Sequence, residues 1–444
     1  MQFDFKNDNP AVIHKGIVYS YKQLWQKITG YNKILSQQIQ AGEVVVITGD
    51  YSFENIALFF SLYLNKNIIV PVTSEVQAEI EKKINIVNAG YQIALKGEKI
   101  ETSFLQGRSQ ISHKYVKKLK AAGHSGLILF SSGSTSEPKA MIHDLDNLMD
   151  HYSNKREKNL IFLIFLLFDH IGGINTMLNI ISMKACMVLP AQRKPLYIAE
   201  LIEKYKINIL PATPTFLNLL LISDAAKKYD LSSLKLITFG TEPMSDGLFK
   251  KIKEAFPRVK LLQTFGTSET GIVKTRSQSA SKLLMKIDAS DHDYKIVDGE
   301  LWLKSTTRVL GYLNYTNNAF TEDGWFKTGD LAEITEDGYL KIIGRKSDII
   351  NVGGEKVLPS EIESALISLP EISDCKVYGE DNPITGQMVV ADIVLKDKPR
   401  EDLDEFKARL KFELRKTLEK YKIPRKINVV ENLELTGSYK KKRG

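Results

Sequence analysis

Short apolar runs recur through the first two-thirds of the chain, and nearly every one stops at glycine, serine, threonine or proline. VVVITGD (44–50) gives way to FENIALFFSLYL and then to NIIVPV (67–72). LILFSS, NLIFLIFLLF, CMVLP, INILPA, LKLITFG and KLLQTFG follow, most of them separated by stretches with helical spacing. Short apolar runs bounded by turn-formers read as buried strands. Their alternation with helices predicts α/β layers built on largely parallel sheets. Ligands of such sheets gather beyond the carboxyl ends of the strands, which makes each polar tail a candidate site segment.

Between about 295 and 343 the texture changes to short alternating runs, YKIVDGELWLKS and DGWFKTGDLAEITEDGYLKIIG. Their DG turns and alternating aromatics predict antiparallel strands. After GRKSDII a new α+β unit begins, with a proline-started helix (PSEIESALISL), two strands (DCKVYG and MVVADIVLK) and a helix over 402–421. In that helix Leu403, Phe406, Leu410, Leu414 and Leu418 keep helical spacing, the mark of a core face. The boundary is expected near Gly344–Asp348, giving domains over 1–344 and 345–444.

Composition narrows the class. With 43% apolar and 26% charged residues the chain is an ordinary globular protein. No run approaches a membrane span; LIFLIFLLF at 160–168 has the length of a buried strand. The start, MQFDFKNDNP, has neither the basic residues nor the apolar stretch of a signal peptide. Cys186 and Cys375 are far apart and unaccompanied, so neither a disulfide framework nor a cysteine metal site is expected. Together these predict a cytoplasmic protein. The net charge of +8 comes from lysines scattered among acids, with no nucleic-acid-binding motif. A solvated basic surface, one that would also suit an anionic small substrate, explains it.

Several strand tails carry chemistry. SSGSTSEPKA (131–140) puts Ser131, Ser132, Gly133, Ser134, Thr135 and Lys139 after an apolar strand. Backbone N–H groups, hydroxyls and a nearby lysine can wrap phosphate oxygens, although Ser/Gly turns are also common connectors. TFGTSETG (264–271) sets Glu269 among small residues, either as a solvated loop acid or as a carboxylate for Mg²⁺ beside phosphates. GWFKTGDLA (324–332) holds Asp330 in a turn, where it is a plain turn residue or an acceptor for both ribose hydroxyls. GRKSDIINVGGEKVLPSEIE (344–363) joins Arg345 to the Gly353–Gly354 loop, as a linker or as part of a site.

In this order and spacing the segments resemble the adenylate-forming superfamily of acyl- and aryl-CoA synthetases, luciferases and amino-acid adenylation domains. The likeness runs from NPAVIHKGIVYSYKQLW to YKIPRKINVVENLELTGSYKKKR, nearly the whole chain. It implies a large N-terminal domain of layered α/β sheets with a distorted β-barrel-like part, and a small mobile α+β C-terminal domain. It also implies ATP, Mg²⁺ and CoA, or a phosphopantetheinyl carrier protein, acting on a small carboxylic acid.

The resemblance assigns Ser131 to Lys139 to the ATP phosphates, and Gly240, Thr241, Glu242 and Pro243 to the adenine. Phe265 stands near the adenine or acyl end, Ser268 replaces the usual threonine beside the α-phosphate, and Glu269 matches the magnesium ligand. Asp330 and Arg345 match the ribose-binding pair, Gly353 and Gly354 the thiol channel, and Lys440 the lysine that joins carboxylate to α-phosphate. FDHIGGINTM supplies the acyl pocket through His170 and Gly172, joined by Gly266 of TFGTSETG, in the reading that favours CoA ligases. In a second alignment Asp169 instead holds a substrate ammonium. The chain departs from the family pattern at Ser136 and Tyr439, where glycine is usual, at Glu434, where proline is common, and at the hinge position Ser347.

Overall fold

The computed structural model describes residues 5, 7–97, 99–105, 113–131, 137–153, 155–277, 283–288, 292–316, 319–437 and 439–442. Two seven-stranded sheets form the large domain. In the first, the strands Val44–Thr48, Ile68–Val72, Tyr91–Lys96 and Gly126–Ser131 run parallel, and antiparallel strands complete the edges. In the second, Pro10–His14, Ile161–Leu163, Cys186–Leu189, Ile209–Ala212, Leu236–Phe239 and Lys260–Gln263 are parallel, closed at one edge by antiparallel Ile17–Ser20. The central strands are buried on both faces, as parallel sheets covered by helices require.

Helix starts follow the local chemistry. Ser20 caps Tyr21–Gln38 in a reciprocal capping box with Gln23, and Ser52 caps Phe53–Leu64. The long apolar run at 159–168 contributes only Ile161–Leu163 to the sheet. Its continuation is taken out of the ladder by polar side chains: Asp50 accepts the Phe168 N–H at 3.1 Å, and Arg193 donates to the Phe165 carbonyl. Phe165 and Phe168 remain fully buried.

A six-stranded antiparallel sheet runs from Thr275–Ser277 and Met285–Ile287 through Leu340–Arg345, Phe326–Ile334 and Glu300–Ser305 to His292–Val297. It is an open half-barrel. Its strand Leu340–Arg345 is followed by a 3-10 turn at Lys346–Asp348 and then by Ile350–Val352, the first strand of the small domain's five-stranded sheet. The helix expected over 402–421 ends at Leu414. Beyond it the chain tightens through a 3-10 turn at Lys420–Lys422, ahead of Pro424, whose ring disfavours helix in the residue before it.

The two domains pack helix against helix, Asp246–Ala255 on Pro359–Ser368. Gly247 permits the approach, since a Cβ there would meet the Ser364 carbonyl oxygen at 3.3 Å. Lys251 donates to the Ile367 carbonyl at 2.7 Å, and the Asn218 amide to that of Ser373 at 3.0 Å. Thr213 and Glu242, which follow two strands of the second sheet, reach the tail of the small domain.

Candidate functional site

Ser131 and Lys139 face each other at the mouth of the hairpin formed by Gly126–Ser131 and Lys139–Asp144. Ser132, Gly133, Ser134 and Thr135, as well as Ser136, lie outside the described residues. The Lys139 ammonium stands 3.9 Å from the centre of the Tyr315 ring, a cation–π contact. Asn314 clamps the hairpin base, accepting from the Ala140 N–H and donating to the Pro138 carbonyl, each at 2.9 Å.

The strand Phe265–Thr267 leads into Ser268 and Glu269. The Thr267 hydroxyl accepts from the backbone N–H of Glu269 at 3.2 Å and of Thr270 at 3.1 Å, which fixes the turn. Gly266 is sterically required, because a Cβ would lie 2.5 Å from the Gly271 carbonyl oxygen. Tyr312 donates its hydroxyl to Glu269 Oε1 at 2.7 Å. The other carboxylate oxygen has no hydrogen bond among the described residues, so a half-buried anionic oxygen is left in the cleft. One such oxygen suits a hard cation that takes its remaining ligands from phosphate and water. Gly240 is similarly constrained, its missing Cβ facing the Thr264 carbonyl oxygen at 2.5 Å. Thr241 takes a left-handed φ of 69°, so that Glu242 and Pro243 turn back toward the domain junction.

Asp330 and Arg345 are register partners on neighbouring strands, with Arg345 Nε 3.0 Å from Asp330 Oδ1. Burial raises the Asp330 carboxyl above its usual range and the guanidinium partly offsets this. Arg345 is the more exposed partner and leads directly into the Lys346–Asp348 turn.

The tail separates two adjacent lysines. Lys441 is part-buried against the small domain, where its ammonium lies 2.7 Å from Asp374 Oδ1 and bonds the Cys375 carbonyl. Burial alone would depress its pKa; Asp374, Cys375 and Glu363 raise it above the ordinary value. Lys440 instead stands among large-domain groups and Arg345. Burial lowers its pKa, the Glu242 carboxylate opposes that, and Arg345 adds to it. On either side of Lys440 the backbone is tied down: the Tyr439 carbonyl accepts from the Thr213 hydroxyl at 2.8 Å, and the Lys441 N–H donates to Glu242 Oε1 at 3.0 Å.

His170 caps the helix Ile171–Ser182, its Nδ1 accepting from the Gly172 N–H at 3.1 Å. Burial and the nearby Lys440 charge push its pKa down to about 3, so the ring is neutral. Gly172 carries no side chain where a Cβ would meet Leu166 at 2.8 Å. Asp169, one residue before, is already engaged: Lys83 lies 3.5 Å from its Oδ2, which also accepts from the Thr73 N–H at 3.2 Å.

Lys440 is within electrostatic reach of His170, Glu242 and Arg345, and Asp330 within reach of Arg345 and Glu269. Gly353 and Gly354 stand apart, exposed in a small-domain hairpin with left-handed φ of 62° and 94° and Thr385 as neighbour. Tyr312, Asn314 and Tyr315 were not singled out from sequence. Their signal is the aromatic turn GYLNY, which follows no strand-end pattern.

Residues 2–313 match the family of AMP-binding enzymes, and residues 361–440 match its C-terminal domain. The chain is similar to the "Probable CoA ligase CCL5" of Humulus lupulus, at 28% identity over 361 residues, covering 74% of this chain and 62% of the relative. The chain thus spans less than two thirds of that relative's length. Among solved structures it resembles an ATP-bound RpMatB-BxBclM chimera B3, with a TM-score of 0.82, 21% identity and coverage of 97% and 93% of the two chains. It also resembles the anthranilate CoA ligase AuaEII in complex with anthranoyl-AMP, with a TM-score of 0.81, 20% identity and coverage of 97% and 92%. These structural likenesses concern the fold.

Proposed function

The chain belongs to the AMP-binding enzyme family, and from that premise we propose that it is an AMP-forming acid–thiol ligase. It joins a small carboxylic acid to the α-phosphate of ATP, releasing pyrophosphate, and then passes the acyl group to the thiol of CoA, releasing AMP. The naming of the curated relatives as CoA ligases supports this reading. The observation that carries it is the Arg345–Asp330 pair at 3.0 Å together with the tail bonds to Thr213 and Glu242, which hold Lys440 within electrostatic reach of Arg345, Glu242 and His170.

The chemistry needs such a set. A carboxylate is a poor electrophile until its oxygen becomes part of a good leaving group, and forming the mixed anhydride brings two anions together. Preorganised cations at the meeting point lower that barrier most effectively in a water-poor cleft. Lys440 is the cation assigned to the reacting oxygens. Asp330 accepts the ribose hydroxyls with Arg345 beside it, and the turn of Gly240 to Pro243 lies against the adenine. Ser131 and Lys139 hold the phosphate loop, and Ser268 contacts the α-phosphate. Glu269 would hold Mg²⁺, which supplies charge neutralisation at the phosphates. No side-chain nucleophile is required, because the thiol itself attacks the activated carbonyl.

We place the domain division between residues 344 and 345, with Ser347 in the hinge turn. Rotation there would withdraw Lys440 and bring Gly353–Gly354 to the thiol channel. A cytoplasmic setting fits two buried cysteines that form no disulfide. Among the described residues no helix is long and apolar enough to cross a membrane.

The test is acid-dependent exchange of labelled pyrophosphate into ATP over a panel of fatty, aromatic and amino acids. The best acid is then supplied with CoA and, separately, with a phosphopantetheinyl carrier protein. Exchange with one acid class and a CoA thioester product supports the proposal. A thioester on the carrier alone replaces CoA as acceptor, and absence of exchange throughout the panel speaks against ligase activity.

A further inference from the structure

We propose that Tyr439 is a positioning residue for Lys440, clasping the tail to the large domain for the ATP-dependent step and releasing it for the thiol step. This deepens the ligase reading and rests on it. Tyr439 adopts a φ of 55°, in the left-handed region that bulky residues avoid. Family resemblance puts glycine here, which takes that conformation freely. A tyrosine held in it must be compensated by its surroundings.

The compensation comes from the large domain. The Tyr439 ring centre lies 5.7 Å from that of Phe165 and meets Phe216 edge-on at 5.8 Å. Both phenylalanines are fully buried, so the surface they offer is rigid. The Tyr439 carbonyl accepts from Thr213, whose hydroxyl also caps the helix Pro214–Ile222 by accepting from the Phe216 N–H at 3.0 Å. Beyond Lys440, the Lys441 N–H reaches Glu242, which accepts in turn from the Thr215 hydroxyl at 2.8 Å. Thus Thr213, Thr215 and Phe216, at one helix start, fix the residues before and after Lys440. Among the described residues the Lys440 N–H itself bonds within the tail, to the Thr436 hydroxyl at 3.1 Å. Its position is inherited from its neighbours.

The Tyr439 contacts and the Lys441 N–H bond cross from the tail to the large domain. Rotation about Lys346–Asp348 would break them together, so the clasp can favour only the arrangement in which Lys440 occupies the cleft. The ring rather than the hydroxyl carries the effect, because the hydroxyl has no hydrogen bond among the described residues.

The experiment compares Tyr439→Gly and Tyr439→Phe with the wild type in the full chain. Amide hydrogen exchange without ligand reads the clasp. Protection of the 436–442 segment is expected to fall by about tenfold or more in Tyr439→Gly and to persist in Tyr439→Phe. With the best acid of the panel, the kcat of pyrophosphate exchange should fall by about tenfold in Tyr439→Gly while KM for ATP stays within about twofold. Thioester formation from preformed acyl-adenylate and CoA should be undiminished, and Tyr439→Phe should behave as wild type in every assay. Wild-type protection in Tyr439→Gly, or equal loss of both half-reactions, overturns the proposal. A wild-type protein inert toward every acid counts against the ligase reading, while hydrogen exchange still decides whether the clasp exists.

Discussion

Lys441 places its ammonium 2.7 Å from the Asp374 carboxylate inside the small domain, whereas Lys440, one residue earlier, stands beside Glu242, Arg345 and His170. Neighbouring residues of an extended segment project to opposite sides, so one lysine secures the tail and the other enters the cleft. Replacing Lys440 by alanine should slow pyrophosphate exchange by about two to three orders of magnitude, as for loss of a preorganised electrostatic donor. Its melting temperature should stay near that of the wild type. Lys441→Met should do the reverse in kind, destabilising the protein by roughly 3–5 kcal/mol because Asp374 is left buried and unpaired. Thermal melts and exchange assays on both variants check this. A Lys441→Met protein of unchanged stability would contradict the division of roles.

Glu269 is oriented by the Tyr312 hydroxyl at 2.7 Å. Glu269→Gln keeps the shape and removes the charge, so the Mg²⁺ concentration needed for half-maximal exchange should rise by about tenfold or more. Tyr312→Phe leaves the charge but frees its orientation, and should raise it by a smaller factor in the same direction. Exchange measured across a magnesium titration at fixed ATP gives both values. An unchanged midpoint in Glu269→Gln would remove this residue from the metal site.

Asp330 and Arg345 link two strands and also border the hinge turn. Asp330→Ala should raise KM for ATP by about one to two orders of magnitude, because a buried acceptor for the ribose is lost. With 2′-deoxy-ATP the wild type should suffer most of the same penalty and the variant little further. That double comparison isolates the hydroxyl contact from any general disturbance of the strand pair. Equal penalties in both proteins would show that Asp330 does not read the ribose.

The layered sheets were legible because each central strand is a short apolar run closed by a turn-former, and burial on both faces demands that pattern. The cleft residues were legible for a related reason: Glu269 and the turn at Gly240 lie just beyond strand ends. What sequence did not reveal are partnerships made by folding alone. Asp169 and Lys83 are 86 positions apart, and nothing near either announces the 3.5 Å ion pair that occupies the aspartate. Nor does YKKK indicate which lysine is structural, since Asp374 and Glu242 approach it from different domains. The helix expected to run to 421 failed because apolar spacing continues through Leu418 although the helix has already ended at Leu414.

His170 makes the stability of the fold depend on pH in a definite direction. Its Nδ1 accepts from the Gly172 N–H at a helix start, so a proton there would break the cap and add positive charge beside a positive helix end and Lys440. The folded-state pKa is pushed down to about 3, below the ordinary imidazole value of 6.5. The unfolded chain therefore binds the proton first as pH falls. Stability from this group is complete above about pH 6.5 and declines as pH drops toward 3, by about 1.4 kcal/mol per pH unit. Between pH 6.5 and 5 that amounts to roughly 2 kcal/mol. His170→Asn keeps a good capping side chain without a titrating ring, so its melting temperature should fall less than that of the wild type over the same interval. Histidine-selective NMR supplies the direct check: the resonance missing from His170→Asn should remain that of a neutral imidazole at pH 5. A protonated signal at that pH, or parallel melting curves for the two proteins, would refute the depressed pKa.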